Sequence, residues 1–230
     1  MTTSEEDTPA ATRKMGLRER KKLRTRQTIE RVALALFAER GYQATTLAQI
    51  AEAAEVVPST LHAYFPSKDD IVFTRLDATC ESARRRILER PGGETVVAAL
   101  QAWLSEDMPR ISGADPVAPE LRRRVIDGDE TLLAQERLRL ALLEDVFAEA
   151  FARDLGEEGT DLRSRLMAAV AVNGLRAVWL WWGLHRSELP DDPGDPYELD
   201  GTYLTSLLEA AERALEGIPS PQQHLRRAAG

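Results

Sequence analysis

Apolar side chains recur at helical spacing along almost all of this 230-residue chain, and strand alternation appears nowhere convincing. Ile29, Val32, Ala33, Leu36 and Phe37 fall at i, i+3, i+4, i+7 and i+8. They make one stripe that ends at Gly41, a residue suited to the step just past a helix. Leu47, Ile50, Ala51 and Ala54 make a second, short stripe, with Thr45 or Thr46 placed to cap it. Pro58 suits the first turn of a third helix, with Leu61 and Phe65 turned inward. Ser67 can cap a fourth, in which Val72, Leu76, Cys80, Ala83 and Ile87 share a face until Pro91-Gly92-Gly93 breaks it. Longer helices are expected beyond, over about 94–107, 117–126, 129–155, 161–187 and 197–216, ended by Pro109, Gly156, Pro190, Gly217 and Pro219.

The fold class this predicts is all-α with about nine helices. Residues 1–20 read as a flexible basic arm and residues 218–230 as a flexible tail, since both lack apolar periodicity. With 43% apolar and 30% charged residues the chain has the composition of a globular protein. Cys80 is the only cysteine, so no internal disulfide forms and a reducing cytoplasm fits. His62, His185 and His224 lack ligand-like spacing, so no metal site is expected. No apolar export segment opens the chain. The most membrane-like run, Met167 to Leu184, carries Asn173 and Arg176 near its middle. An arginine there costs about 2.5–3.5 kcal/mol in a bilayer, so this run reads as a buried helix.

The net charge of −8 hides an asymmetry. Residues 11–75 hold 12 Lys/Arg against 7 Asp/Glu, whereas residues 76–230 hold 18 against 28. Arg13, Lys14, Arg18, Arg20, Lys21, Lys22, Arg24 and Arg26 face a single acid, Glu19. A cationic segment joined to an anionic body implies that one part meets a polyanion and the other does not.

Two short helices around a tight turn need a third to hold them, and the stripe from Ile29 to Phe37 supplies it. The third helix of this unit then presents Ser59, His62 and Ala63 outward, with Thr60 beside them. Such small or polar side chains suit insertion into a major groove. Tyr64 and Lys68 stand at the edges, where a phenol and an ammonium reach phosphate oxygens, while Phe65 belongs to the core.

The runs Leu36-Phe37-Ala38-Glu39-Arg40-Gly41-Tyr42-Gln43-Ala44-Thr45-Thr46, Ile50-Ala51-Glu52-Ala53-Ala54 and Thr60-Leu61-His62-Ala63-Tyr64-Phe65-Pro66-Ser67-Lys68-Asp69-Asp70 closely resemble the TetR family of bacterial transcriptional regulators. The likeness covers about residues 24–75. It implies a helix-turn-helix DNA-binding domain over residues 21–75, with the motif itself at about 46–65. It also implies a larger helical ligand-binding and dimerisation domain over residues 76–217. By the family pattern Thr46 caps the second helix near a phosphate, Thr60 and Tyr64 touch the backbone, and Ser59, His62 and Ala63 face bases. With Pro58 opening the recognition helix and Lys68 opening the next, these complete the candidate DNA-binding set. Three positions depart from the pattern. Glu55 stands where the turn usually has glycine, Val57 where a serine or threonine usually caps the recognition helix, and His62 where an aromatic is usual. The basic run Arg13 to Arg26 is a candidate extra phosphate or minor-groove contact.

Most of the large aromatic surface lies beyond residue 100. Leu175, Val178, Trp179 and Trp182 form one helix face, which reads either as core or as the wall of an apolar cavity. The expected ligand-binding residues are Trp103, Phe147, Phe151, Trp179 and Trp182, for a largely apolar effector. An organic cation would also suit tryptophans. Trp181 points away from Trp179 and is expected in an interface. Leu204, Leu207, Leu208, Ala211 and Leu215 line one side of the last helix, either in a homodimer seam or in the chain's own core. The expected partners are therefore an operator duplex, an effector and a second copy, with no membrane and no cofactor.

Two other readings compete with a ligand-responsive repressor. Asp191-Asp192-Pro193-Gly194-Asp195 is an aspartate-rich pattern like that of helical prenyl-transferring enzymes, but Pro190, Pro193, Gly194 and Pro196 make it a loop. Its carboxylates cannot share a helix face, and no nucleophile–base arrangement stands out, so catalysis is not expected. The other is a helical interaction protein whose head has lost DNA binding through Glu55 and Val57.

Overall fold

In a computed structural model of the chain, residues 16–106, 117–156, 161–185, 206–211 and 213 are described, with backbone alone at 117–119, 178, 179 and 181–185. Helix α1 (Leu17–Arg40) begins inside the stretch expected as an arm, because its start needs no apolar stripe. The Gly16 N–H donates to the Glu19 carboxylate at 3.0 Å, and lysines and arginines are good helix formers. The helix stops where Gly41 takes φ 89 and returns its N–H to the Phe37 carbonyl at 2.9 Å.

Helix α2 (Leu47–Ala53) is capped by Thr46, whose hydroxyl accepts the Gln49 N–H at 3.3 Å. Helix α3 (Pro58–Tyr64) follows after a four-residue turn. Helix α4 (Lys68–Leu88) opens with a reciprocal cap: Asp70 N–H donates to Ser67 Oγ at 3.1 Å, and Ser67 N–H donates to the Asp70 carboxylate at 2.8 Å. Next come α5 (Val96–Glu106), α6 (Val117–Asp127), α7 (Glu130–Asp154) and α8 (Leu162–His185), and residues 206–211 are helical. Asp129 caps α7 through the N–H groups of Thr131 and Leu132 at 2.9 and 3.1 Å. The architecture is all-α, as the periodicity predicts.

Two apolar cores organise these helices. The head core gathers Ile29, Leu34 and Phe37 of α1, Ile50 of α2, Leu61 and Phe65 around α3, and Ile71, Val72 and Phe73 of α4. Val125 and Ile126 of α6 and Leu132 of α7 complete it. The body core gathers Ala83 and Ile87 of α4 with Leu100, Trp103 and Leu104 of α5, Phe147 and Phe151 of α7, and Met167 to Leu175 of α8. Helix α4 therefore serves both cores, with its first turns in the head and its last in the body. Fully burying side chains of this size contributes about 1.5–3 kcal/mol each. Among the described residues no helix is long and apolar enough to cross a membrane. Arg176, on the most apolar helix, lies 3.8 Å from the Glu136 carboxylate.

Candidate nucleic-acid interface

The turn between α2 and α3 is a complete Schellman closure built around a residue other than glycine. Glu55 N–H donates to the Glu52 carbonyl at 3.1 Å and Val56 N–H to the Ala51 carbonyl at 2.9 Å. This pattern forces Glu55 to φ 54, the left-handed region expected at that position. Val56 leans on the head core, anchoring the turn from its far side. Val57 gives α3 no side-chain cap. Pro58 at the first helical position has no N–H to satisfy, and the Thr60 N–H turns back to the Val57 carbonyl at 2.9 Å. The departures at 55 and 57 thus leave the two-helix geometry intact.

With Leu61 and Phe65 buried, the opposite side of α3 is fixed by helical geometry. Ser59, His62 and Ala63 are exposed there together, as expected for base-facing positions, and Pro58 is exposed at the helix start. Thr60 and Tyr64 are half-buried on the flank turned towards α1. Thr46 is exposed at the mouth of α2. Thr45 is fully buried instead and donates to the Gly41 carbonyl at 2.9 Å, which assigns the cap to Thr46.

Lys68 is oriented by a residue that motif reading passed over. Its ammonium donates to the Tyr42 carbonyl at 2.7 Å and sits 4.4 Å from the centre of the Tyr42 ring. The Tyr42 hydroxyl in turn donates to the Asp69 carboxylate. Burial first, then this bond and the nearby carboxylates, pushes the Tyr42 phenol above its ordinary value. The Phe37 and Tyr42 rings meet edge to face at 5.0 Å, so the assembly is pinned to the head core. Tyr42 follows the helix-ending glycine directly, and that position is the signal that could have singled it out.

Head and body are joined by polar contacts as well as by the shared core. Glu30 of α1, 6% exposed, accepts from Arg75 Nε of α4 at 3.0 Å and from Arg122 of α6. Arg122 Nε also donates to the Val72 carbonyl at 2.9 Å. The next residue, Arg123, turns towards the body and donates to Glu136 of α7 at 2.7 Å, beside Arg176 of α8. Gln43 reaches Asp129 at 3.0 Å and Gln135 reaches Asp69 at 3.1 Å.

In the body, Trp103, Phe147 and Phe151 lie within the core, and the Trp103 indole N–H donates to Ser82 Oγ at 3.1 Å. Trp179, Trp181 and Trp182 lie on α8, with side chains outside the described ones. Leu204, Leu215 and the Asp191–Asp195 segment also lie outside the described residues. Leu207 is exposed, whereas Leu208 is fully buried with Ala211 packed against the same core. Leu208 therefore completes this chain's own body instead of facing a partner. Among the described residues, no group of three His, Cys, Asp or Glu side chains could hold a metal ion.

The family model described as bacterial regulatory proteins, tetR family, matches residues 29–74, the span from the α1 stripe into α4. The transcriptional regulator TcmR of Streptomyces glaucescens is 34% identical over 231 residues, covering 95% of this chain and 94% of that protein. The transcriptional repressor KstR of Rhodococcus jostii strain RHA1 is 28% identical over 167 residues, covering 72% and 76%. The fold is shared with a transcriptional regulator from Aquifex aeolicus VF5, at TM-score 0.51 and 14% identity over 81% of this chain and 98% of that one. A head of this geometry, matched in sequence at both family and full-chain level, makes the chain a member of the TetR family and a helix-turn-helix transcriptional regulator.

Proposed function

We propose that the protein is a ligand-responsive repressor that binds a palindromic operator as a homodimer and leaves it when a small molecule enters the body. The observation that carries this reading is the exposed Ser59–His62–Ala63 face of α3, backed by a fully buried Leu61 and Phe65. In this reading those three side chains meet base edges in the major groove, while Thr46, Thr60, Tyr64 and Lys68 hold flanking phosphates. Two-fold symmetry then sets two recognition helices about 34–36 Å apart, one helical turn of DNA. The protein acts by binding rather than by catalysis, in the cytoplasm where such an operator lies.

The effector is largely apolar in this reading, received among Trp103, Phe147 and Phe151 with Trp179 and Trp182 of α8. The dimer seam uses α8, including Trp181, and the exposed side of the last helix, including Leu207. Support for ligand control comes from the wiring around α6. Arg122 grips the head and Arg123 grips the body, so a shift of α7 or α8 pulls on α1. A ligand shifts such a balance only by its differential affinity, and moving from 1:99 to 99:1 takes about 5.5 kcal/mol.

Selection of bound duplexes from a random DNA pool tests the core of this reading. Enrichment of a two-fold symmetric sequence with half-sites one helical turn apart is expected. Recovery of an unenriched pool would overturn it.

A further inference from the structure

The α1 face that packs into the head core over Ile29, Ala33 and Phe37 continues backwards beyond α3 with a different chemistry. Arg18, Lys21, Lys22 and Thr25 fall at i, i+3, i+4 and i+7, in register with Ile29 at i+11. Here the face meets no apolar partner. It forms one wall of an open groove of about 580 Å³ whose other wall is Thr60 and Tyr64 of α3. Glu19 is the one carboxylate in the lining, and it already accepts the Gly16 N–H. Other cations of the same run are differently disposed. Arg26 is drawn over the Phe65 ring at 4.6 Å, and Arg20 and Arg24 are exposed without lining the groove.

We propose that Arg18, Lys21 and Lys22 form a binding wall for the phosphodiester backbone of the same duplex whose major groove α3 enters. The inference rests on the operator-binding reading and narrows a diffuse basic run to one face of α1. Three observations carry it. The groove is continuous with Thr60 and Tyr64, on the flank beside the exposed Ser59–His62–Ala63 face. Its lining holds three cations against one engaged carboxylate. The stripe from residue 18 to residue 25 rises about 10 Å, a length matching about three nucleotides of one strand. A backbone contact of this kind adds affinity to every sequence and carries no base preference.

The test is the salt dependence of duplex binding by the full-length protein, read by fluorescence anisotropy. The operator selected above is compared with a scrambled duplex. The variants are Lys21→Gln/Lys22→Gln on the groove face and Arg20→Gln/Arg24→Gln off it, which remove equal charge. The groove pair is expected to lower the slope of log Kd against log salt by about 2, at about 0.9 per lost phosphate contact. The off-face pair should lower it by less than about 1. The preference for operator over scrambled duplex should stay within twofold in both. Equal slopes for the two variants, or an unchanged slope in the groove pair, would overturn the inference while the operator reading stands. Wild-type protein that ignores sequence, with a slope still sensitive to the groove pair alone, would overturn the operator reading and retain the wall. Failure to bind any duplex would overturn both.

Discussion

Glu30 of α1 and Arg122 of α6, 92 positions apart in the chain, form a buried ion pair at the seam between head and body. Arg75 shares the same carboxylate oxygen, so one acid holds two guanidinium groups from two other helices. Replacing Arg122 by methionine leaves the carboxylate with Arg75 alone and strips the Val72 carbonyl of its donor. Breaking a buried pair in this way costs about 3–5 kcal/mol, and the remaining Arg75 contact argues for the lower end. Urea unfolding of Arg122→Met should show that loss. The double variant Glu30→Gln/Arg122→Met should lose less than the two single changes combined.

Glu55 holds a left-handed backbone at φ 54, which costs an L-residue with a Cβ about 1–2 kcal/mol. Glycine removes that cost but returns part of it through a more flexible unfolded chain. Glu55→Gly should therefore stabilise the protein by about 0.5–1 kcal/mol, raising Tm by about 2–3 °C for a chain of this size. Operator affinity should hold within twofold, because the turn already has the geometry glycine would adopt. A lower Tm would refute the strain assignment.

His62 and Lys68 divide base reading from backbone holding. His62→Ala should change which base pairs a random pool enriches at one position of each half-site, with a cost of about 1–3 kcal/mol at that position. Lys68→Met should weaken binding to all sequences alike and reduce the salt slope by about 1. It should also loosen Tyr42, whose carbonyl and ring both meet the ammonium. Equal, sequence-blind losses in the two variants would defeat the division.

The Cys80 thiol is pushed up from 9.0 to about 11, first by burial and then by Asp77, against a downward pull from Arg139. At pH 8 it is protonated, so alkylation of the folded protein should be slow compared with the urea-unfolded chain. Between pH 9 and 11 the unfolded chain has released a proton that the folded one keeps. Stability therefore falls as pH rises through that window, and Cys80→Ala should flatten the fall. Rapid alkylation at pH 8 without unfolding would contradict the burial.

The helical plan is legible in the sequence because its signals are local. Gly41, Thr46, Pro58, Ser67 and Asp129 each act within a few residues, on a helix end that must satisfy its own N–H or carbonyl groups. The exposed face of α3 follows equally directly, since burying Leu61 and Phe65 leaves Ser59, His62 and Ala63 outside. The start of α1 escapes the same reasoning. A helix of lysines and arginines carries no apolar stripe, and its first two turns look like a solvated arm. The partners of Glu30 escape it for another reason, because a charged residue on a helix reads alike whether paired or hydrated. Only the fold brings together residues 45 and 92 positions apart. Leu208 shows the corresponding ambiguity for apolar residues, since periodicity says that a face is covered and not by which chain.

Val125, Ile126 and Leu132 reach into the core that supports α3, so the reading head has no apolar interior of its own that could be cut away intact. A fragment ending after α4 would surrender that covering and present raw oil to water. The molecule should accordingly melt as a single calorimetric event. Whatever loosens the far end of the chain then loosens its grip on the genome in the same stroke.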